Sequence, residues 1–216
     1  MRNALDLRVY LVTDTRLCGS PQAVADTCHH AVKGGVTLIQ LRDKGMTTAN
    51  YVALAQAVQA RGIGQVPLII DDDIEAAVLA NAAGAHIGQT DMCPRQARDT
   101  LGQSRLLGLS VHSDEEMDRA LALPAGTIDY VGLGAVFATA TKPEVAPPGL
   151  DRLAHLASRA RKAHLPCVAI GGLDAAQEPA IRKAGANGMA VVRAICEHPN
   201  PCAAAARIAA AWHRAG

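Results

Sequence analysis

The stretch Tyr130-Val-Gly-Leu-Gly-Ala-Val-Phe-Ala-Thr-Ala-Thr-Lys142, followed by Pro143-Glu-Val-Ala-Pro-Pro-Gly149, decides how the chain is read. Tyr130 to Leu133 has the composition of a short apolar strand. It gives way to the hydroxyls of Thr139 and Thr141 and the ammonium of Lys142, on a Pro-rich loop that can be neither sheet nor helix. Donors and positive charge on a loop anchored at the carboxyl end of a strand suit an anionic ligand. Taken alone, Thr-x-Thr-Lys reads as an ordinary surface loop. Its weight comes from the same pattern, an apolar strand ending in polar residues, recurring in both directions along the chain.

Working outward, strand-like runs occur at Arg8 to Thr13, Leu38 to Arg42, Leu68 to Asp71, Ala85 to Ile87, Leu106 to Ser110, Tyr130 to Leu133, Cys167 to Ile170 and Met189 to Val192. Amphipathic, alanine-rich segments fall between them: Pro21 to Lys33, Thr47 to Arg61, Ile74 to Asn81, Pro94 to Leu101, Asp114 to Leu123, Leu150 to Ala163, Ala175 to Ala184 and Pro201 to Arg214. Eight strand-helix units predict an α/β fold, a single-domain (β/α)8 TIM barrel over residues 1–216. An open doubly wound sheet would want Gly-x-Gly-x-x-Gly after the first strand, where Asp14-Thr-Arg-Leu-Cys-Gly19 stands instead.

Bulk properties agree. The 216 residues suffice for one large core, and a composition half apolar but only 2% aromatic favours aliphatic parallel strands over an aromatic-rich sandwich. The 21 basic and 20 acidic residues are intermingled, which argues against nucleic acid or an acidic membrane as partner and makes any anion site local. Six cysteines with no Cys-x-x-Cys pair read as reduced thiols. The charged amino terminus and the lack of a spanning apolar run predict a cytoplasmic protein. Homo-oligomer formation is left open.

Helix ends carry their own signals. Thr47-Thr-Ala-Asn and Ser113-Asp-Glu-Glu116 provide caps, the second matching a capping box. Lys33-Gly-Gly35, Asn81-Ala-Ala-Gly84 and Lys183-Ala-Gly-Ala-Asn-Gly188 predict left-handed glycine caps on the barrel floor.

Chemistry in such a barrel gathers where strand carboxyl ends open into loops. The second strand delivers Gln40-Leu-Arg42-Asp-Lys44, alternation sending Gln40, Arg42 and Lys44 to one side. The third delivers Asp71, Asp72 and Asp73, the fourth His86-Ile-Gly-Gln-Thr-Asp91, and the fifth Ser110-Val-His112. Asp72 and Asp91 beside several cations suit Mg2+ held by one or two carboxylates and completed by substrate phosphate, whereas Asp73 reads as a helix cap. Gly171-Gly172 with Val192-Arg193 occupies the place where many barrels bind phosphate through backbone N–H groups. His86 reads as a satisfied structural histidine; His112 reads equally as a proton shuttle or as part of a helix cap.

Taken together, Gln40-Leu-Arg-Asp-Lys44, Asp72, His86-Ile-Gly-Gln-Thr-Asp91, Gly108-Leu-Ser110, Thr139-Ala-Thr-Lys142, Ile170-Gly-Gly172 and Val191-Val192 resemble the thiamine phosphate synthases, relatives of the thiazole tautomerases. The resemblance covers nearly the whole chain. It implies that Gln40, Leu41, Arg42, Asp43, Lys44, Ser110 and Lys142 contact a hydroxymethylpyrimidine pyrophosphate, with Arg42, Lys44, Ser110 and Lys142 serving catalysis. It further implies that Asp72 and Asp91 bind Mg2+, and that Thr139, Ala140, Thr141 and the N–H groups of Gly172, Val192 and Arg193 hold a thiazole phosphate. Asp71 stands in the substrate site where the family usually has Asn, and Arg193 where it has Ser or Gly. The implied reaction is a transferase step joining the two small molecules with release of pyrophosphate. The alternatives are a tautomerase using His112 and a non-catalytic barrel that binds phosphate ligands.

Overall fold

The computed structural model of the chain describes residues 5–138 and 149–213. Eight parallel strands close on themselves in sequence order: β1 (Val9–Val12), β2 (Leu38–Leu41), β3 (Leu68–Asp71), β4 (Gly84–Ile87), β5 (Leu106–Val111), β6 (Tyr130–Leu133), β7 (Cys167–Ile170) and β8 (Gly188–Val191), with β8 pairing back to β1. Closure explains why the strands carry almost unbroken apolar runs: one face meets the barrel interior, the other meets helices, and neither meets water.

The helices around the barrel are α2 (Pro21–Lys33), α3 (Thr48–Arg61), α4 (Ile74–Leu79), α5 (Pro94–Leu101), α6 (Asp114–Leu121), α7 (Gly149–Lys162), α8 (Glu178–Lys183) and α10 (Pro201–His213). These match the periodic segments of the sequence, except that α8 begins three residues after the expected Ala175. Two short helices were not anticipated, α1 (Thr15–Cys18) after β1 and α9 (Arg193–Cys196) after β8. Each is four residues long, too short for a 3.6-residue period to be read.

Side chains divide into two apolar clusters. The larger one lies between barrel and helices and includes Leu11, Ile39, Ile70, Leu107, Val131 and Val191; the smaller fills the barrel with Leu7, Tyr10, Val12, Leu38, Ile69, Tyr130, Val168 and Ala190. Polar residues enter this inner column too. Gln40, Asp71 and His86 are buried there, and the register sets His86 beside Gly108 and Gly108 beside Tyr130.

Two expected glycine caps need correction. Gly35 and Gly185 do take positive φ at helix ends, but at α4 the left-handed residue is Asn81, with φ 49°. Gly84 and Gly188 lie inside strands instead, held by close approach: a Cβ would stand 2.1 Å from Leu106 O at Gly84 and 1.6 Å from Leu7 O at Gly188. Gly188→Ala should therefore destabilise the barrel by about 3 kcal/mol, at the upper end for overpacking because the clash is with backbone. Chemical denaturation of the two proteins checks this, and unchanged stability would show that β8 can shift away from Leu7.

The capping box at α6 is only half formed. Ser113 Oγ accepts the Glu116 N–H at 3.2 Å, but Glu116 Oε2 accepts from the N–H of His112 rather than that of Ser113. Asp73 caps α4 as expected, accepting the Ala76 N–H at 2.8 Å and the Thr48 hydroxyl at 2.7 Å.

Candidate active site

The carboxyl ends of β2, β3, β4 and β5 converge on one polar mouth. Arg42, just past β2, points its Nε at Asp71 Oδ2, 3.3 Å away at the end of β3. Its own N–H donates to Thr13 Oγ1 at 3.2 Å, and the backbone of Asp43 is clamped on both sides by the Tyr51 hydroxyl, at 2.8 and 3.0 Å. Arg42 and Asp43 are thus fixed by their main chain, while Lys44 stands exposed in the following turn. Leu41 is fully buried on the outer face of β2, so it offers only its main chain to a ligand.

Asp71 to Asp73 divide three roles among adjacent carboxylates. Asp71 is buried, and that burial, with the negative charge of Asp72, pushes its carboxyl up to about 7 against the opposing pull of Arg42. A carboxyl held near that value keeps part of its proton at neutral pH, and the protonated form has an O–H donor to offer. Asp72 adopts φ 60°, a left-handed conformation that costs a non-glycine residue about 1–3 kcal/mol and is tolerated best by Asp and Asn. Its N–H donates to His86 O at 2.8 Å, and the turn sets its carboxyl close enough to that of Asp91 for the two to act on each other. Partial desolvation and then Asp91 raise Asp72 to about 6. Asp91 in turn is anchored by the Gly88 N–H at 2.6 Å.

Two carboxyls that meet in this way hold excess negative charge, which a cation relieves. Among the described residues no three His, Cys, Asp or Glu side chains form a closed cage. The chemistry of the Asp72–Asp91 pair suits a hard divalent cation such as Mg2+, which takes one or two carboxylates and leaves its other positions to water and ligand oxygens.

Ser110, near the end of β5, is held from two sides. Gln89 Nε2 donates to its carbonyl at 2.6 Å while Gln89 Oε1 accepts from Arg119 at 3.0 Å, and its hydroxyl lies 3.0 Å from His86 Nε2. His86 is satisfied, as its place within a strand suggests, but one of its partners belongs to the site. Burial lowers its pKa to about 4, which keeps the ring neutral. His112 is half exposed and paired through Nδ1 with Glu116 Oε2 at 3.0 Å, so it is tied into the start of α6.

On the opposite side of the mouth, Gly171 and Gly172 have φ 106° and 66° and press against the segment leading toward residue 139. A Cβ on Gly171 would meet Ala135 at 2.6 Å, and one on Gly172 would meet Ala138 O at 2.9 Å. Val192 is the residue before α9, and the first turn of α9 turns main-chain N–H groups toward the same end of the barrel. The Arg193 guanidinium pairs with Glu197 at 2.5 Å and is directed along α9, leaving the main chain as its contribution. Thr139, Ala140, Thr141 and Lys142 lie outside the described residues.

Several residues that shape the mouth carried no readable signal: Tyr10, Thr13, Tyr51 and Tyr130 act through one hydroxyl each, and nothing in their local pattern separates them from core. The one available clue was rarity, since the chain has only three tyrosines and all three make such contacts.

A family profile described as thiamine monophosphate synthase matches residues 9–195. The chain is 40% identical to the thiamine-phosphate synthase of Albidiferax ferrireducens over 204 residues, covering 94% of this chain and 90% of that one. It is 41% identical to the thiamine-phosphate synthase of a Psychrobacter species, covering 94% of each. Among solved structures, a thiamine phosphate pyrophosphorylase from Pyrococcus furiosus superposes with a TM-score of 0.83 at 26% identity, over 97% of this chain and 96% of that one. A 3-hexulose-6-phosphate synthase shares the fold alone, with a TM-score of 0.67 at 20% identity.

Proposed function

The chain belongs to the thiamine monophosphate synthase family, and from that premise we propose that it is a transferase joining hydroxymethylpyrimidine pyrophosphate to a thiazole phosphate. The products are thiamine phosphate and pyrophosphate. The observation that carries the reading is the convergence of Arg42, the Asp72–Asp91 pair and Ser110 at one end of the barrel. Arg42, Lys44 and Lys142 meet the pyrophosphate; Gln40, Asp43, Asp71 and Ser110 position the pyrimidine half. Asp72 and Asp91 would hold Mg2+, which supplies charge neutralisation for the leaving group when bound. Thr139, Thr141 and the N–H groups of Gly172, Val192 and Arg193 take the thiazole phosphate.

The bond that breaks joins the pyrimidine methylene carbon to a pyrophosphate oxygen, and its electron pair departs with the pyrophosphate. The carbon left positive is delocalised into the pyrimidine ring and captured by the lone pair of the thiazole nitrogen. This sequence asks the protein for charge stabilisation and alignment rather than a nucleophile. Arg42 and the two lysines lower the barrier where negative charge grows, and the walls of the mouth align the two rings. The reading includes a cytoplasmic setting, supported by the free thiols of all six cysteines; among the described residues no helix is long and apolar enough to cross a membrane.

His112 provides the test against proton-transfer chemistry. His112→Asn should retain most of the coupling activity, because its imidazole is engaged by Glu116 and no step above requires it. Both proteins are assayed for pyrophosphate release and for interconversion of thiazole phosphate tautomers. The proposal fails if wild type interconverts tautomers without releasing pyrophosphate and loses that activity, by roughly 10²- to 10⁴-fold, on substitution.

A further inference from the structure

Inside the barrel, five side chains from five strands form one continuous hydrogen-bonded chain. Gln40 Nε2 donates to Tyr10 Oη at 2.6 Å; Tyr10 Oη lies 2.9 Å from Tyr130 Oη; Tyr130 Oη lies 2.9 Å from His86 Nδ1; and His86 Nε2 lies 3.0 Å from Ser110 Oγ. The two tyrosines are 1% and 0% exposed, so bulk water does not reach their hydroxyls. Room for the chain is made by glycine: a Cβ on Gly108 would stand 2.3 Å from Tyr130 Cζ and 2.4 Å from His86 Nδ1, and one on Gly132 would stand 3.2 Å from His86 Cε1.

Counting protons gives this chain a direction. An amide nitrogen only donates, so Tyr10 Oη accepts from Gln40, and the Tyr10 proton must go to Tyr130 Oη, the other partner within reach. Tyr130 then donates to His86 Nδ1, which places the proton of the neutral ring on Nε2. His86 Nε2 donates to Ser110 Oγ, and the Ser110 hydroxyl keeps its own proton for whatever lies in the mouth. If Tyr130 instead donated to Tyr10, the Tyr10 proton would be left buried without a partner among the described residues, which disfavours that direction.

We propose that Tyr10, Tyr130 and His86 are positioning residues that set the polarity of the substrate site, committing Ser110 to donate a hydrogen bond to an acceptor atom of the bound pyrimidine half. The proposal rests on the transferase reading for the identity of that ligand, but the polarity itself does not. A site that offers the Ser110 proton favours a ligand acceptor at that point, because a ligand donor could use only the remaining lone pair of Oγ and would leave the Ser110 proton without that partner. The chain thus links a buried core contact near Tyr10 to substrate selection at Ser110. It also accounts for three polar rings or hydroxyls in a barrel interior that apolar residues would fill at lower cost.

The test begins without substrate. Long-range 1H–15N correlation on the 15N-labelled protein, with His86 assigned by comparison with His86→Asn, reports which ring nitrogen carries the proton. The Nε2–H tautomer is expected. The Nδ1–H tautomer would overturn the proposal, since it requires the reversed chain in which Gln40 accepts and Ser110 donates inward. Tyr130→Phe supplies the second arm: it removes the hydroxyl that donates to His86 Nδ1, so Nδ1 lacks that partner in either tautomer and His86 should show both.

In the coupling assay Tyr130→Phe should lower kcat/KM by about 3- to 10-fold, the scale of one hydrogen bond, and should add nothing in a Ser110→Ala background. Losses that multiply in the double variant, or a single unchanged His86 tautomer in Tyr130→Phe, would assign the chain a structural role only. Absence of coupling activity in wild type would remove the transferase reading and leave the tautomer result standing, so the two failures are distinguishable.

Discussion

Asp91→Ala is expected to lower turnover by about 10³-fold at limiting Mg2+, because half of the carboxylate ligation proposed for Mg2+ would disappear and several kcal/mol of charge stabilisation would go with it. Asp91 has a second attachment, accepting the Gly88 N–H at 2.6 Å, so the alanine variant alone would mix loss of charge with loosening of the turn after β4. Asp91→Asn separates the two. The amide oxygen can still accept from Gly88, while the charge that attracts the cation and is shared with Asp72 is gone. Both variants should be folded, inactive at low Mg2+, and partly restored as Mg2+ is raised. Full activity of Asp91→Asn at limiting Mg2+ would reduce Asp91 to a turn-forming residue.

Arg42→Ala should cost roughly 10²- to 10³-fold in kcat, the range for removing one preorganised donor aimed at developing charge. The complication is Asp71, which lies 3.3 Å from Arg42 Nε and would lose its nearest cation. A buried carboxylate left alone perturbs a site on its own account. The double variant Arg42→Ala/Asp71→Asn removes that perturbation. If activity returns in the double variant, Arg42 is only the counter-ion of Asp71; if the loss persists, Arg42 acts on the substrate. Arg42→Lys should recover little, because an ammonium cannot reproduce the planar fork that serves Asp71 and a phosphate oxygen together.

The barrel was legible because its signal is repetitive: alternation of β-branched and aliphatic runs with alanine-rich helical segments survives a misjudged boundary in any single unit. What escaped were features whose cause is spatial. The glycines at 84 and 188 look like helix caps next to apolar segments, yet the backbone of Leu106 at the start of β5 and that of Leu7 just before β1 dictate them. The helices Thr15–Cys18 and Arg193–Cys196 are shorter than two turns and leave no periodic trace.

In the site, Arg42, Asp71, Asp72, Asp91 and Ser110 are recognisable because charged and hydroxylated residues at strand ends contrast with the apolar strands that carry them. His86 was read as structural, which its neutral, doubly partnered ring bears out, but its contact with Ser110 Oγ at 3.0 Å depends on β4 and β5 being neighbours in register. The tyrosines at positions 10 and 130 are 120 residues apart, and only closure of β1 and β6 around a common interior brings their hydroxyls to 2.9 Å. Contacts of that kind are consequences of topology and leave no local pattern.

The central claim is that this barrel couples two phosphorylated rings with Mg2+-assisted departure of pyrophosphate. Its most direct measurement is pyrophosphate released by the purified protein incubated with hydroxymethylpyrimidine pyrophosphate and thiazole phosphate, with Mg2+ present or chelated, alongside mass detection of the product. The account predicts one pyrophosphate per thiamine phosphate formed, dependent on both substrates and on Mg2+. Undiminished coupling with Mg2+ chelated, or no coupling with all components present, would contradict it.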